Sequence, residues 1–168
     1  MSDGFTRLMA AADPAMIVVT TAVEGEQAGC LVGFHGQASI DPEHYCVWLS
    51  KANHTYRVGL RATRFAVHFL AAADLAVAEH FGTVSGEDVD KFADIDVAET
   101  PDGVPVLAAC PHRLLLERIT LLDAGGDHVC LTGRVISAES SGSFEPLRTS
   151  AVAHLDPGRS SEERVIQP

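Results

Sequence analysis

Between Glu43 and Asp74 the chain has no carboxylate, although it carries a formal net charge of -11. Lys51, Arg57, Arg61 and Arg64 fall in that gap with His54 beside them. The cations therefore lack local ion-pair partners, and the segment reads as a place where something anionic docks. Other absences exclude whole classes. No stretch approaches the ~20 apolar residues that cross a bilayer, so no membrane span is expected. No basic region followed by an apolar one opens the chain at Met1-Ser2-Asp3-Gly4, and the expected compartment is the cytoplasm. Cys30, Cys46, Cys110 and Cys130 include no Cys-x-x-Cys pair, which argues against a zinc ribbon and a secreted disulfide framework and for buried thiols. Asp and Glu outnumber Lys and Arg by 23 to 12, a balance that repels nucleic acid. No Gly-x-Gly-x-x-Gly, no Gly-x-x-x-x-Gly-Lys-Ser/Thr and no Gly-x-Ser-x-Gly occurs, which disfavours Rossmann, P-loop and hydrolase chemistry.

What is present describes one domain over residues 1–168, with a barrel at about 14–140 and a tail at 141–168 that is extended or lies over another subunit. Phe5 to Ala12 has helical spacing and stops at Asp13-Pro14. Met16 to Thr21 and Ala28 to Phe34 form a hairpin about Glu24-Gly25-Glu26, and Tyr45 to Ser50 and Phe65 to Leu70 are further strands. Asn53 caps a helix to Leu60, and Asp74 caps another that runs to Phe81 with Gly82 as its stop. Gly82 to Pro105 reads as a long surface connection with a turn at Pro101-Asp102-Gly103. Leu114 to Leu122 and His128 to Ala138 flank a final turn. About six short β-branched strands with two or three helices predict a mainly β, closed antiparallel barrel.

Three constellations carry chemistry. In Gly29 to Pro42 the glycines let backbone approach a flat ligand, with His35 and Gln37 to bond a heterocycle edge; the same residues also suit a glycine-softened strand and bulge. Ser50-Lys51-Ala52-Asn53-His54-Thr55, with Arg57 and Arg61 a turn apart, offers hydroxyls, an amide and charge for a phosphate monoester, or else a solvated basic face. Gly126-Asp127-His128 opens a strand; on physics alone it is a tight turn with a surface histidine. Cys110-Pro111-His112 lacks metal-ligand spacing, and no metal is expected.

Taken in order, these segments resemble the flavin reductase-like family, whose fold is the six-stranded, Greek-key FMN-binding split β-barrel. The likeness runs from about Met16 to Ala138. Gly29 to Gly33 and Ser39-Ile40-Asp41-Pro42 match its glycine loop and Ser-Leu/Ile-Asp-Pro step, and Ser50, Lys51 and Thr55 match its strand ending. Arg64 to Leu70, Ala78-Glu79-His80-Phe81-Gly82 and Asp90-Lys91-Phe92 match the strand, helix and loop that follow, and Gly126-Asp127-His128 with Gly133-Arg134-Val135 matches the closing pair. Two features depart from the pattern. Leu31-Val32-Gly33-Phe34 stands where the family often has Thr-Val-Ser-Ser, and the chain from Pro146 lacks the usual aromatic ending.

The resemblance implies a homodimer that binds FMN or FAD and reduces it with NADH or NADPH, hydride passing from the nicotinamide to flavin N5, and that supplies reduced flavin to a monooxygenase. It implies that Ser50, Lys51, Asn53 and Thr55 hold the flavin phosphate or ribityl chain. Val32, Gly33, Phe34, His35, Gly36 and Gln37 would meet the ring, backbone amides, His35 or Gln37 replacing the lost hydroxyls. Lys91 would approach the flavin, and His128, the catalytic candidate, would contact the nicotinamide nucleotide. The alternatives are a non-catalytic flavin carrier, or a split-barrel oxidoreductase using a deazaflavin or another substrate.

Overall fold

The β-branched run after Pro14 becomes the most deeply buried strand of the molecule. In the computed structural model, which describes residues 2–158, helix α1 (Asp3–Ala12) leads into β1 (Ile17–Val23), where Ile17, Val18 and Val19 have no solvent exposure. Glu24 and Gly25 both take positive φ, 51° and 82°, the turn whose twist matches that of the flanking strands, and β2 (Glu26–Val32) returns antiparallel. Gly33 and Phe34 then join β2 to β3 (His35–Ser39), which pairs with β4 (His44–Ser50). Next come α2 (His54–Gly59), β5 (Arg64–Phe69), α3 (Leu75–Gly82), β6 (Val97–Glu99), β7 (Pro105–Leu107), β8 (Arg113–Leu122), β9 (His128–Glu139) and α4 (Thr149–Val152).

The main sheet runs β2-β1-β5-β8-β9-β4-β3, all neighbours antiparallel. It has seven strands, not six. The added strand is β3, whose Gly36 and exposed polar residues give no apolar alternation to read. The two edges of the sheet, β2 and β3, are consecutive in the chain and only two residues apart, so the sheet has to curl on itself. Inside lie Ile17, Val19, Val47, Leu49, Phe65, Val67, Leu116 and Leu131, all fully buried. Burial of each such side chain stabilises the fold by roughly 1.5–3 kcal/mol.

Alternation along β1 sends Val18 to the other face, into a second core with Leu70, Ala78, Phe81, Cys110 and Leu147 beneath α3. His68 of β5 is buried at that layer. Its Nδ1–H donates to the Val18 carbonyl at 3.2 Å, and its Nε2 accepts the Leu107 N–H at 3.1 Å. The expected long connection is not featureless, because β6 and β7 pair within it.

The helix ends differ from their sequence signals. Asn53 occupies the cap position of α2 without a side-chain capping bond, and the Asp74 carboxylate accepts from Ala71 N–H at 2.7 Å instead of capping α3. Gly82 is the last residue of α3, followed by a right-handed Thr83. A Cβ on Gly82 would stand 2.8 Å from Leu31 Cδ2, so close approach of α3 to β2, rather than a left-handed stop, is what glycine serves there.

The chain's end returns to its beginning. Leu147 N donates to the Leu70 carbonyl and Met16 N to the Leu147 carbonyl, and the Asp13 carboxylate accepts from Ser150 N and Oγ, both at 2.8 Å. Those bonds hold the Asp13 carboxyl below the usual carboxylate range. Residues 159–168 of the expected tail lie outside the described residues. Among the described residues no helix is long and apolar enough to cross a membrane. Helix α1 buries none of its residues and exposes Phe5, Leu8 and Met9.

Candidate functional site

The turn that leaves β4 sets four side chains, Ser50, Asn53, His54 and Thr55, along one side of a cavity of about 330 Å³. Ser85 and Gly86, from the loop after α3, close this polar end. A Cβ on Gly86 would come within 3.0 Å of His54 Cδ2, so glycine lets the loop reach the imidazole. Ser50 Oγ accepts from Ala52 N–H at 3.3 Å, which leaves its O–H free to donate. Thr55 is buried and, with Asn53, hydrogen-bonds the thiol of Cys30. Burial pushes that thiol up, and the nearby Lys91 ammonium and the two hydrogen bonds only partly offset it.

Lys91 is the cation of the cavity. Its Nζ donates to the carbonyls of Gly29 and Phe81, both at 3.0 Å, and only 5% of the residue is exposed. Burial pushes the ammonium pKa down, which the neighbouring Cys30 opposes. A charge so placed acts through a lower effective dielectric than any surface lysine.

The rest of the lining is apolar and aromatic. Met16, Leu31, Val32 and Phe81 form one wall, and Val152 and Leu155 of the returning tail form another. At the rim the rings of Phe34 and His128 lie 4.9 Å apart at 52°, with Trp48 alongside. His128 Nδ1 donates to Asp127 Oδ1 at 2.7 Å, which orients the ring and turns Nε2 to other partners.

The cavity thus gathers Val32, Gly33, Phe34, Ser50, Asn53, Thr55, Lys91 and His128 from the residues singled out in the sequence. Four others stand elsewhere. His35 is spent within the fold: Nε2–H donates to the Ala15 carbonyl at 2.6 Å and Nδ1 accepts from Tyr45 Oη at 2.7 Å. Desolvation lowers its pKa, the Ala15 contact opposing, so it is held as the neutral tautomer. Gly36 and Gln37 lie on the edge strand β3, where Gln37 Nε2 reaches its neighbour Ser39 O at 3.4 Å.

Lys51 points away, its Nζ 2.8 Å from Asp123 and its N–H bonded to the Asp127 carbonyl at 2.9 Å. It fastens the β8–β9 turn. The other cations of the carboxylate-free segment also find partners that the sequence separates widely: Arg57 pairs with Glu87, Arg61 with Glu26 at 2.7 Å and Arg64 with Glu117 at 3.3 Å. The segment is therefore tied to carboxylates by the fold. Lys51→Ala is expected to change FMN affinity less than about threefold, ~0.65 kcal/mol, because its ammonium is held by Asp123 and does not line the cavity; titration with FMN checks it.

Sequence reading missed Trp48, Ser85, Gly86 and the tail residues. Ser85-Gly86 lies in a Gly- and Asp-rich stretch with no periodicity, and only the fold brings it beside His54.

A curled antiparallel barrel with one cavity lined by hydroxyl, amide, imidazole and aromatic side chains defines a split-barrel protein with a concave binding site. The chain belongs to the flavin reductase like domain family, whose model matches residues 9–150. It is 32% identical over 133 residues to the stachydrine N-demethylase reductase subunit Stc3 of Rhizobium meliloti (strain 1021), covering 77% of this chain and 55% of that one. It is 28% identical over 137 residues to the FMN reductase (NADH) SmoA of Agrobacterium fabrum (strain C58 / ATCC 33970), covering 82% and 76%. Among solved structures it is similar to the FMN-binding protein from Thermus thermophilus with bound 1-cyclohex-2-enone, at 27% identity and a TM-score of 0.69 over 75% of this chain and 70% of that one. The chain spans about half the length of the Rhizobium relative.

Proposed function

We propose that this protein is an NADH- or NADPH-dependent flavin reductase. The single observation that carries the reading is one cavity lined by buried Lys91, by Ser50, Asn53 and Thr55, and by the His128–Phe34 pair, with Ser50 of β4 directly across from His128 of β9. The residues present fit a flavin. Ser50, Asn53, His54, Thr55 and Lys91 would hold its phosphate and ribityl chain, and Val32, Gly33, Phe34 and Trp48 would border its ring. Once bound, the flavin supplies the hydride-accepting chemistry, and no general base is required of the protein.

The chain's own contributions are positional. Lys91 opposes the phosphate charge, the apolar wall excludes water, and His128, turned by Asp127, meets the nicotinamide nucleotide from the rim. The names of relatives, an FMN reductase (NADH) and the reductase subunit of a flavin-dependent monooxygenase, support this activity and a role in supplying a separate monooxygenase. Exposed Phe5, Leu8 and Met9 on α1, with Phe34 at the rim, support a homodimer, and the four free cysteines support a reducing, cytoplasmic setting.

Purified protein supplied with FMN is expected to oxidise NADH or NADPH in air, and bound flavin to bleach anaerobically on nucleotide addition. Flavin that binds but stays oxidised with both nucleotides would make the protein a carrier. His128→Ala is expected to raise the nicotinamide KM about tenfold with FMN affinity retained, as removal of one aromatic or hydrogen-bonding contact worth about 1.4 kcal/mol does. Equal losses for both ligands would remove His128 from the nucleotide contact.

A further inference from the structure

Two of the four free thiols meet on the outer face of the barrel, and no step of the reductase chemistry uses them. Val47, Leu49 and Leu131 point into the core, so Cys46 and Trp48 of β4 and Cys130 and Thr132 of β9 point outward. The register sets Cys46 directly opposite Thr132 and Trp48 directly opposite Cys130, which makes the two cysteines diagonal neighbours on one face. Their side chains meet. Cys46 Sγ lies 3.2 Å from Thr132 Oγ1, and the Cys130 thiol is hydrogen-bonded to Cys46 and to Thr132. Both cysteines are half-buried, whereas Cys30 and Cys110 are buried in the two cores. On its other side Cys46 faces Gly36 of β3, where a Cβ would meet nothing within 4 Å, so a small solute reaches the thiol from solvent.

We propose that Cys46 and Cys130 are a peroxide-sensitive dithiol that closes to an intramolecular disulfide and thereby slows the flavin site; the slowing, though not the disulfide, rests on the reductase reading above. The oxidant is hydrogen peroxide, formed when reduced flavin passes two electrons to dioxygen in air. Cys46 attacks first. Its sulfur bonds one peroxide oxygen, the O–O bond breaks, and the other oxygen takes a proton and leaves as water. Cys130 then gives up its proton and attacks the Cys46 sulfenic sulfur; the S–S bond forms, the S–O bond breaks and a second water leaves. Two thiols have then given two electrons to one peroxide. The order of attack follows from the surroundings. Burial pushes the Cys130 thiol up, the charge and hydrogen bond of Cys46 add to this and Thr132 opposes it, so Cys130 keeps its proton and resolves while Cys46 attacks.

A diagonal pair stands farther apart than a relaxed disulfide spans, so the bridge draws β4 along β9. Trp48 and Ser50 follow Cys46 on β4, His128 precedes Cys130 on β9, and all three line the cavity. The strain therefore reaches the rim. It also leaves the bridge easily reduced.

The test treats the full chain, reduced and then freed of reductant, with hydrogen peroxide, the excess being removed by catalase. Titratable thiols are expected to fall from four to two, peptide mapping to link Cys46 to Cys130 within one chain, and dithiothreitol to restore all four. Trp48 is the only tryptophan, and its fluorescence is expected to drop when the disulfide forms beside it and to recover on reduction. Cys130→Ser is expected to stop at a dimedone-reactive sulfenic acid on Cys46, and Cys46→Ser to leave Cys130 a thiol. After peroxide, NADH oxidation with FMN is expected to slow at least about threefold in the wild type and not in Cys46→Ser, because small displacements at a site are felt in the rate. Retention of four thiols, oxidation of Cys30 or Cys110 before the pair, or a link between two chains would overturn the proposal, as would a disulfide with unchanged turnover. If the reduced protein oxidises neither NADH nor NADPH, the reductase reading fails and the slowing with it, while thiol count and fluorescence still decide whether the pair closes.

Discussion

Between pH 6.5 and pH 4 the protein is expected to lose about 3 kcal/mol of stability through His68 alone. Burial pushes the imidazole pKa down from 6.5 to about 4, with the Val18 carbonyl opposing and Arg113 adding to the fall. The two ring nitrogens explain why. Nδ1–H faces an acceptor, but Nε2 faces the Leu107 N–H, so a second proton would set donor against donor in a buried layer. In this pH window the unfolded chain takes up a proton that the folded chain refuses. The stabilisation is therefore complete above about pH 6.5 and is lost as pH falls toward the folded pKa. Urea unfolding at several pH values checks this against His68→Gln, which keeps one donor and one acceptor and does not titrate. The variant is expected to show a flatter pH dependence, whatever its stability at neutral pH. Parallel curves would show that His68 is not the source.

Thr55→Val is expected to weaken FMN about ten- to a hundredfold and riboflavin little, the loss of one hydrogen bond to a charged phosphate being worth about 1.5–3 kcal/mol. Valine keeps the shape of a side chain that is only 1% exposed, so the core contact survives and the hydroxyl alone is lost. The comparison of the two flavins separates phosphate recognition from ring binding, because only FMN carries the phosphate. If both weaken equally, Thr55 is a packing residue. Its hydroxyl would then serve Cys30, to which it is already hydrogen-bonded.

The strands that face two cores were legible because burial on both sides demands an apolar, β-branched run. Ile17, Val18 and Val19 announce β1 for that reason, as Phe65 to Val67 announce β5. β3 was hidden because it lies at an edge and shows polar side chains to solvent, so its pairing with β4 leaves no alternation to detect. Ion pairing was hidden for a different reason. The gap in carboxylates from Glu43 to Asp74 is real in sequence, but Glu26, Glu87, Glu117 and Asp123 arrive from other strands and loops and neutralise it. The cation that remains inside the cavity, Lys91, sits in a segment whose surrounding Asp residues make it look ordinary. Ser50, Asn53 and Thr55 were legible as candidates because hydroxyl and amide groups cluster where β4 passes into α2, whereas His128 was singled out only through the family resemblance.

The Asp13 clasp on Ser150 couples regions that seem unrelated along the chain. Val152, Leu155, Pro157 and Gly158 line the cavity, and they follow a segment that is fastened to the opening residues by Asp13, by the Thr149 N–H bond to the Pro14 carbonyl and by the Ala15–Arg148 bridge. The first and last parts of the described chain therefore share one mechanical hinge, and cutting or loosening either end slackens the enclosure around the ligand.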